Sequence, residues 1–222
     1  SKVGYLAPKQ FLNSGLETVE GVTSEIIGEF TLELSECDQS DSCLYITNLL
    51  IRVDISTLKS NNSIRDSAIK SQWLESKLFP EAVFKIDELV IPNKNFDSKV
   101  EDTIVGKLSI REIELDTPFS ITASLVGDEI RIQGFSEIDT TWFGFDAPTK
   151  FNAWEVLNPI GLTVDLVAKQ NKLVKNKLIY KKLDSSVENT KNNYASVAVL
   201  FFDEVEIPVS YTHLTLPTRL LV

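Results

Sequence analysis

The side chains with which this chain of 222 residues could do chemistry are few. Its one histidine, His213, stands in the closing stretch "VSYTHLTLPTRLLV". That stretch resembles translated sequencing-adapter read-through, so residues 210–222 are set aside. With His213 goes the base that a Ser-His or Cys-His nucleophile pair needs, and with it any histidine-built metal or haem site. Cys37 and Cys43 are separated by five residues, "CDQSDSC", between strand-like segments. They would staple a hairpin in an oxidising compartment and stay thiols in a reducing one; both states remain open. No third or fourth soft ligand is in view for zinc. Carboxylate neighbours such as Glu101 with Asp102, or Asp203 with Glu204, are the kind of pair a glycosidase uses. Among 32 acidic residues such pairs arise by chance and describe a solvated face. Gly4, Gly15, Gly21 and Gly28 are scattered, and none opens a helix after a strand as a phosphate-binding loop requires. The residues assign no catalytic group, no metal and no cofactor, and the expectation is a protein that is not an enzyme.

A net charge of −10 argues against nucleic acid, whose binders present a dense basic face. No window approaches the ~18–20 uninterrupted apolar residues of a membrane-spanning helix. The opening "SKVGYLAPKQF" lacks the charged-then-apolar layout of a signal peptide, although a matured or truncated chain would have lost one. Export stays open.

Any ligand site must therefore be built by the elements, and these read as strands. In "EFTLELSE" Phe30, Leu32 and Leu34 share one face and Glu29, Thr31 and Glu33 the other, the period of a half-buried strand. "LYITNLLIRVDIS", "AVFKIDELVI", "TIVGKLSI", "FSITASLVG", "EIRIQGFSEI" and "IGLTVDLVAK" continue the pattern, with turn formers between them. Seven or more such strands joined by short turns predict an all-β, antiparallel barrel, because closure removes the exposed edges of the sheet. One stretch interrupts. After Asn61, Asn62 and Ser63, the residues Ile64, Ala68, Ile69 and Trp73 fall on one stripe of a helix that Pro80 ends. That helix is expected either to lie over a barrel mouth or simply to pack on the sheet. From Lys169, "KQNKLVKNKLIYKKL" carries six lysines and no clean period, which reads as a linker or strand extension. "ASVAVLFFDEVEIPV" further on could supply one more strand. The division expected is a barrel domain over residues 1–168, a basic linker and C-terminal extension over 169–209, and the non-native tail over 210–222.

The order of motifs resembles the YceI-like, or polyisoprenoid-binding, domain family. The match runs through "GEFTLEL", "VDISTLKSNNSIRDSAIKSQWLESKLFPEAVFKI", "VGKLSIREIELDTPFSIT", the Asp-Thr-Thr-Trp-Phe-Gly-Phe stretch and "GLTVDLVAK", over about residues 5 to 168. The central block is the specific part, with an Arg-Asp pair opening the helix and Phe-Pro before the next strand. The resemblance implies a lipocalin-like barrel that holds a long isoprenoid, such as a prenyl quinone or prenyl phosphate, without catalysis. It also implies a bacterial protein of the periplasm or the exterior. It leaves the oligomeric state open, a homodimer included. Two positions depart from the family pattern. Arg111 and Glu112 stand where His-Gly is common, and "IDTTWFG" lacks an Arg often found before "FG"; both bear on the head group rather than on the lumen.

An eight-stranded barrel is just wide enough to fill with side chains or to hold one slim ligand. The candidate lining is Phe30, Phe84, Phe119, Phe135, Trp142, Phe143, Phe145, Phe151 and Trp154; the competing expectation is that these rings pack into a solid core. For a polar mouth the candidates are Arg65, which could meet a pyrophosphate or quinone oxygen through charge-assisted hydrogen bonds, and Asp66. Arg65 could equally pair with Asp66 or a loop carboxylate. Lys59, Lys70 and Lys77 would extend a positive rim, while Trp73 and Phe79 are expected to anchor the helical segment.

Overall fold

A computed structural model describes residues 1–12, 15–36, 42–92, 99–127, 129–150, 153–170 and 197–201. Its described residues form twelve strands and one α-helix, all strand pairings being antiparallel. The strands are β1 (Lys2–Phe11), β2 (Gly15–Thr23), β3 (Ile26–Glu36), β4 (Ser42–Asp54), β5 (Glu81–Pro92), β6 (Val100–Ile110), β7 (Ile113–Val126), β8 (Glu129–Ile138), β9 (Thr149–Lys150), β10 (Trp154–Val156), β11 (Ile160–Gln170) and β12 (Val197–Phe201). The helix α1 spans Ser63–Ala68, between β4 and β5. This is the all-β, antiparallel architecture that the alternation predicts and the lipocalin-like arrangement that the family resemblance implies, with a single short helix between strands.

The ladder runs β3-β4-β5-β6-β7-β8-β11-β1, with β2 and β10 both on β1 and β9 on β10. Strand β12 pairs with β3 over five residues and with the end of β11 over two. Continuous ladders do not seal the wall: β12 alone links those flanks, and β5 meets β6 through only Val83–Lys85. Period-two alternation sorts the two faces. On β6, Ile104, Leu108 and Ile110 are buried while Val105 and Lys107 are exposed. The inner faces form a large cluster around Ile26, Phe30, Leu49, Phe119 and Leu166. A smaller one, of Leu108, Ile110, Ile138, Phe143 and Ile160, lies at the end where α1 crosses.

The helical interruption is shorter than the stripe predicts. Asn62 caps α1 by accepting from the Arg65 amide at 3.0 Å, but after six residues the backbone widens into a π turn over Ile69–Trp73. There the Leu74 amide donates to the Ile69 carbonyl at 2.9 Å. The Ser71 hydroxyl donates back to the Ser67 carbonyl at 2.8 Å, a local competition that serine and threonine bring to helices. Glu75 then turns with φ 47, and the chain reaches Pro80 before β5. Of the expected stripe, Ala68, Ile69 and Trp73 are partly buried, whereas Ile64 is 82% exposed.

The β6–β7 hairpin turns on Arg111 and Glu112, both left-handed (φ 51 and 67), with Ile110 opposite Ile113. This is the two-residue geometry that Asn-Gly usually fills. Cys43 is disulfide-bonded; Cys37, Phe151 and His213 lie outside the described residues, as do most of 169–209 and all of 210–222.

Candidate functional site

Residues 55–79 form a lid over one end of the barrel, and local capping fixes its path. Asp54 accepts from the Ser56 amide at 2.9 Å. Lys59 and Val22 exchange backbone hydrogen bonds at 2.8 and 2.9 Å, tying the lid to β2. The Thr57 and Thr23 hydroxyls meet at 2.5 Å. The far end is held by Arg111. Its guanidinium pairs with the Glu75 carboxylate, donates to the Trp73 carbonyl at 3.1 Å and lies 5.5 Å from the centre of the Phe145 ring.

Beneath the lid the barrel is hollow. A cavity of about 590 Å³ runs along the inner faces of the strands, within the ~300–1,000 Å³ typical of small-molecule sites. Its wall is aliphatic with a few rings, among them Phe84 and Phe119 packed edge to face at 5.0 Å and 68°. Leu58, Ala68, Ile69, Trp73 and Leu74 of the lid face it. Of the lining residues, only Asn62, Ile64 and Lys150 are exposed. These belong to the start of the lid and to β9, so among the described residues the opening lies between those two elements.

The structure sorts the expected site residues. Phe30, Arg65, Phe84, Phe119, Phe145 and Trp154 line the cavity; Asp66, Phe135, Trp142 and Phe143 do not. Phe135 shares the strand face of Arg131 and Glu137, is 42% exposed, and covers Gly161 on the outer wall. Its neighbours Ser136 and Ile138 take the inner positions. Trp142 projects from a 3-10 turn at Thr140–Phe143 and is 58% exposed. Phe143, 1% exposed, is swallowed by the small core cluster below that turn. Trp73, expected only to anchor, faces the cavity as well, while Phe79 does not.

Arg65 and Asp66 meet through Ser60 rather than through each other. The Ser60 amide donates to the Asp66 carboxylate at 3.0 Å and its hydroxyl also bonds to that carboxylate. The Arg65 guanidinium donates to the Ser60 hydroxyl at 3.1 and 2.8 Å and to the Asn61 side-chain oxygen. Asp66 is thus a structural acceptor within the lid, and Arg65 reaches the cavity. Tyr5, on the inner face of β1, has its pKa pushed up to about 12, chiefly by burial; Arg65 opposes that shift and Asp66 adds to it.

Lys59, Lys70 and Lys77 do not line the cavity; the lysines that do are Lys9 and Lys150. Lys9 continues the inward series Val3, Tyr5, Ala7 of β1, a signal available in the alternation of "KVGYLAPKQF". Its ammonium sits 4.4 Å from the centres of both the Phe11 and Trp154 rings. Lys150 lies opposite Trp154 in the β9–β10 register, and nothing in "DAPTK" marks it. Among the described residues no three metal-ligating side chains come together, and no helix is long and apolar enough to cross a membrane.

Residues 6–169 match the family model of the YceI-like domain. Among solved structures, a mutant form of the Campylobacter jejuni YceI protein superposes with a TM-score of 0.52 at 15% identity, over 72% of this chain and 90% of that one. BcnA of Burkholderia cenocepacia is similar at a TM-score of 0.46 and 13% identity, over 73% and 96%. A polyisoprenoid-binding domain from Saccharophagus degradans implicated in plant cell wall breakdown gives 0.39 and 8%, over 64% and 98%. No curated protein matches the chain.

Proposed function

This chain belongs to the YceI-like domain family, and from that premise we propose that it is a non-enzymatic carrier or reservoir for a long-chain isoprenoid held in the barrel. The observation that carries the proposal is the apolar cavity of about 590 Å³, open beside the lid. Association is driven by removing apolar surface from water, at about 25 cal/mol per Å², so a long tail binds well with few polar contacts. Rings such as Phe84, Phe119 and Trp73 offer flat surfaces to a chain of flat isoprene units. The same unfilled space weighs against a solid-core interaction module. The Cys43 disulfide favours an oxidising compartment, and export to the periplasm or the exterior is part of the proposal.

Native mass spectrometry of freshly purified protein, followed by organic extraction, tests it. A bound lipid of several hundred daltons, or uptake of a prenyl quinone or prenyl phosphate by the extracted protein, is the expected result. A clean apo mass with no uptake of either would overturn the proposal.

A further inference from the structure

The cavity wall contains three charged side chains, Lys9, Arg65 and Lys150, and every one is basic. The chain as a whole has 32 acidic residues against 22 basic ones, so this local balance runs opposite to the global one. The three cations belong to the lid start, β1 and β9, and β9 and the lid start also supply the three exposed lining residues. They therefore stand toward the mouth, while the rest of the wall is almost wholly apolar. None of the three takes part in an ion pair among the described residues. Two neighbouring acids are otherwise placed. Asp66 is occupied within the lid by Ser60, which bridges it to Arg65. Glu17, opposite Lys9 in the β1–β2 register, is exposed and outside the cavity, and the Lys9 ammonium lies over the Phe11 and Trp154 rings.

Resting on the carrier proposal above, we infer that the ligand is an anionic amphiphile, inserted tail first, whose phosphate or carboxylate head is held at the mouth by Lys9, Arg65 and Lys150. A neutral quinone or alcohol head leaves these three basic groups without a counter-charge among the lining residues. An anion gives each a charge-assisted partner. Lys9 reinforces the point, because an ammonium over two aromatic faces has already shed part of its water and keeps its N–H donors available. Arg65 is held in place by its Nε and Nη2 donations to Ser60 and Asn61 and offers its Nη1 donors to a head-group oxygen.

The test compares matched pairs on the delipidated full chain: geranylgeranyl monophosphate with geranylgeraniol, and palmitate with hexadecanol, by calorimetry at low and at high salt. The expected result is that the anion of at least one pair binds about tenfold or more tighter than its neutral twin, the factor that a single charge-assisted contact supplies. That margin shrinks as salt screens the mouth. The pair that binds better identifies the tail. The triple variant Lys9→Gln, Arg65→Gln, Lys150→Gln should lose the margin and keep the neutral ligand's affinity, while Lys107→Gln, on the outer wall beside Asp116, keeps both. Equal affinities within a pair, or a margin that survives the triple substitution, would overturn the anionic head while leaving the carrier proposal standing. Failure of all four probes to bind would overturn both.

Discussion

Arg111→Ala should release the far end of the lid without dismantling the barrel. The Arg111 side chain is only 19% exposed and makes contacts to Glu75, Trp73, Gly144 and Phe145 that an alanine cannot. A hydrogen bond from a charged donor, here to the Trp73 carbonyl at 3.1 Å, contributes about 1.5–3 kcal/mol. The ion pair with Glu75, whose carboxylate is about a third exposed, adds ~1 kcal/mol at most after screening. The contact with Phe145 adds about 0.5–1 kcal/mol. Water recovers part of this once the lid end lifts, which leaves a net loss near 2 kcal/mol, or about 30-fold in the opening equilibrium. The amides of Leu74 and Ser76, bonded to the Ile69 and Lys70 carbonyls at 2.9 and 2.8 Å, report that opening directly. Their hydrogen exchange should accelerate about 30-fold, while amides in the β4–β5 ladder respond only through global stability. Arg111→Lys should recover part of the protection, since it keeps the charge and loses the fork. Alanine is the right probe because Arg111 has φ 51: a glycine there would also relieve backbone strain and mask the loss. Exchange at Leu74 and Ser76 unchanged within about twofold in Arg111→Ala would refute the latch.

The remaining predictions concern the cavity wall. Tyr5 is held neutral to about pH 12 against an ordinary value of 10, so its contribution is fully present below pH 10 and is lost as pH rises to about 12. Over that window the native protein should lose up to about 2–3 kcal/mol relative to Tyr5→Phe; parallel denaturation curves for the two proteins would contradict this. Gly106→Ala would place a methyl 2.3 Å from the Phe84 ring and 2.8 Å from Ile86. It should cost ~1–3 kcal/mol in urea unfolding and reduce lipid uptake by pushing Phe84 into the bore; an unaltered midpoint would show that the ring has room to move. Phe135→Ser and Trp142→Ser, both on the outer surface, should leave lipid uptake unchanged, and loss of uptake in a folded variant would mean that the ligand binds elsewhere than in the barrel.

The parity of a strand is legible because one residue step flips a side chain to the other face. Phe30 and Leu32 are therefore placed correctly by "EFTLEL" alone. Phe135 shows what happens when residue type is preferred over parity. In "EIRIQGFSEI" the inner series is Ile130, Ile132, Gly134, Ser136, Ile138, and the aromatic ring stands one step out of phase, among Arg131, Gln133 and Glu137. Trp142 and Phe143 lie beyond the strand in a 3-10 turn, where no period assigns a face, and only the packing of Leu108, Ile138 and Ile160 decides which ring is buried. The family resemblance flagged Arg111 as a departure but not its task, since its partners Trp73 and Glu75 are 38 and 36 residues away. Lys9 was readable from the alternation of β1; Lys150, in a two-residue strand, was not.

The hollow itself is the feature hardest to reconcile with stability alone. Protein interiors are close-packed and leave few voids larger than a water molecule. At about 24 cal/mol per Å³ of residual cavity, a space of about 590 Å³ left empty would cost on the order of 10 kcal/mol, comparable with the whole stability of an ordinary domain. Water reaching in past Ile64 and Lys150 relieves little of this, because the aliphatic wall gives it few hydrogen-bond partners. The wall nonetheless includes small residues at Ala7, Ala82 and Ala123, where larger side chains would fill space. Gly4, Gly106 and Gly134, by contrast, are already crowded by Gly21 and Val22, by Phe84, and by Val164. The chain thus packs tightly where strands approach one another and stays thin along the bore, and the apolar guest proposed above would supply the contacts that its own side chains leave unmade.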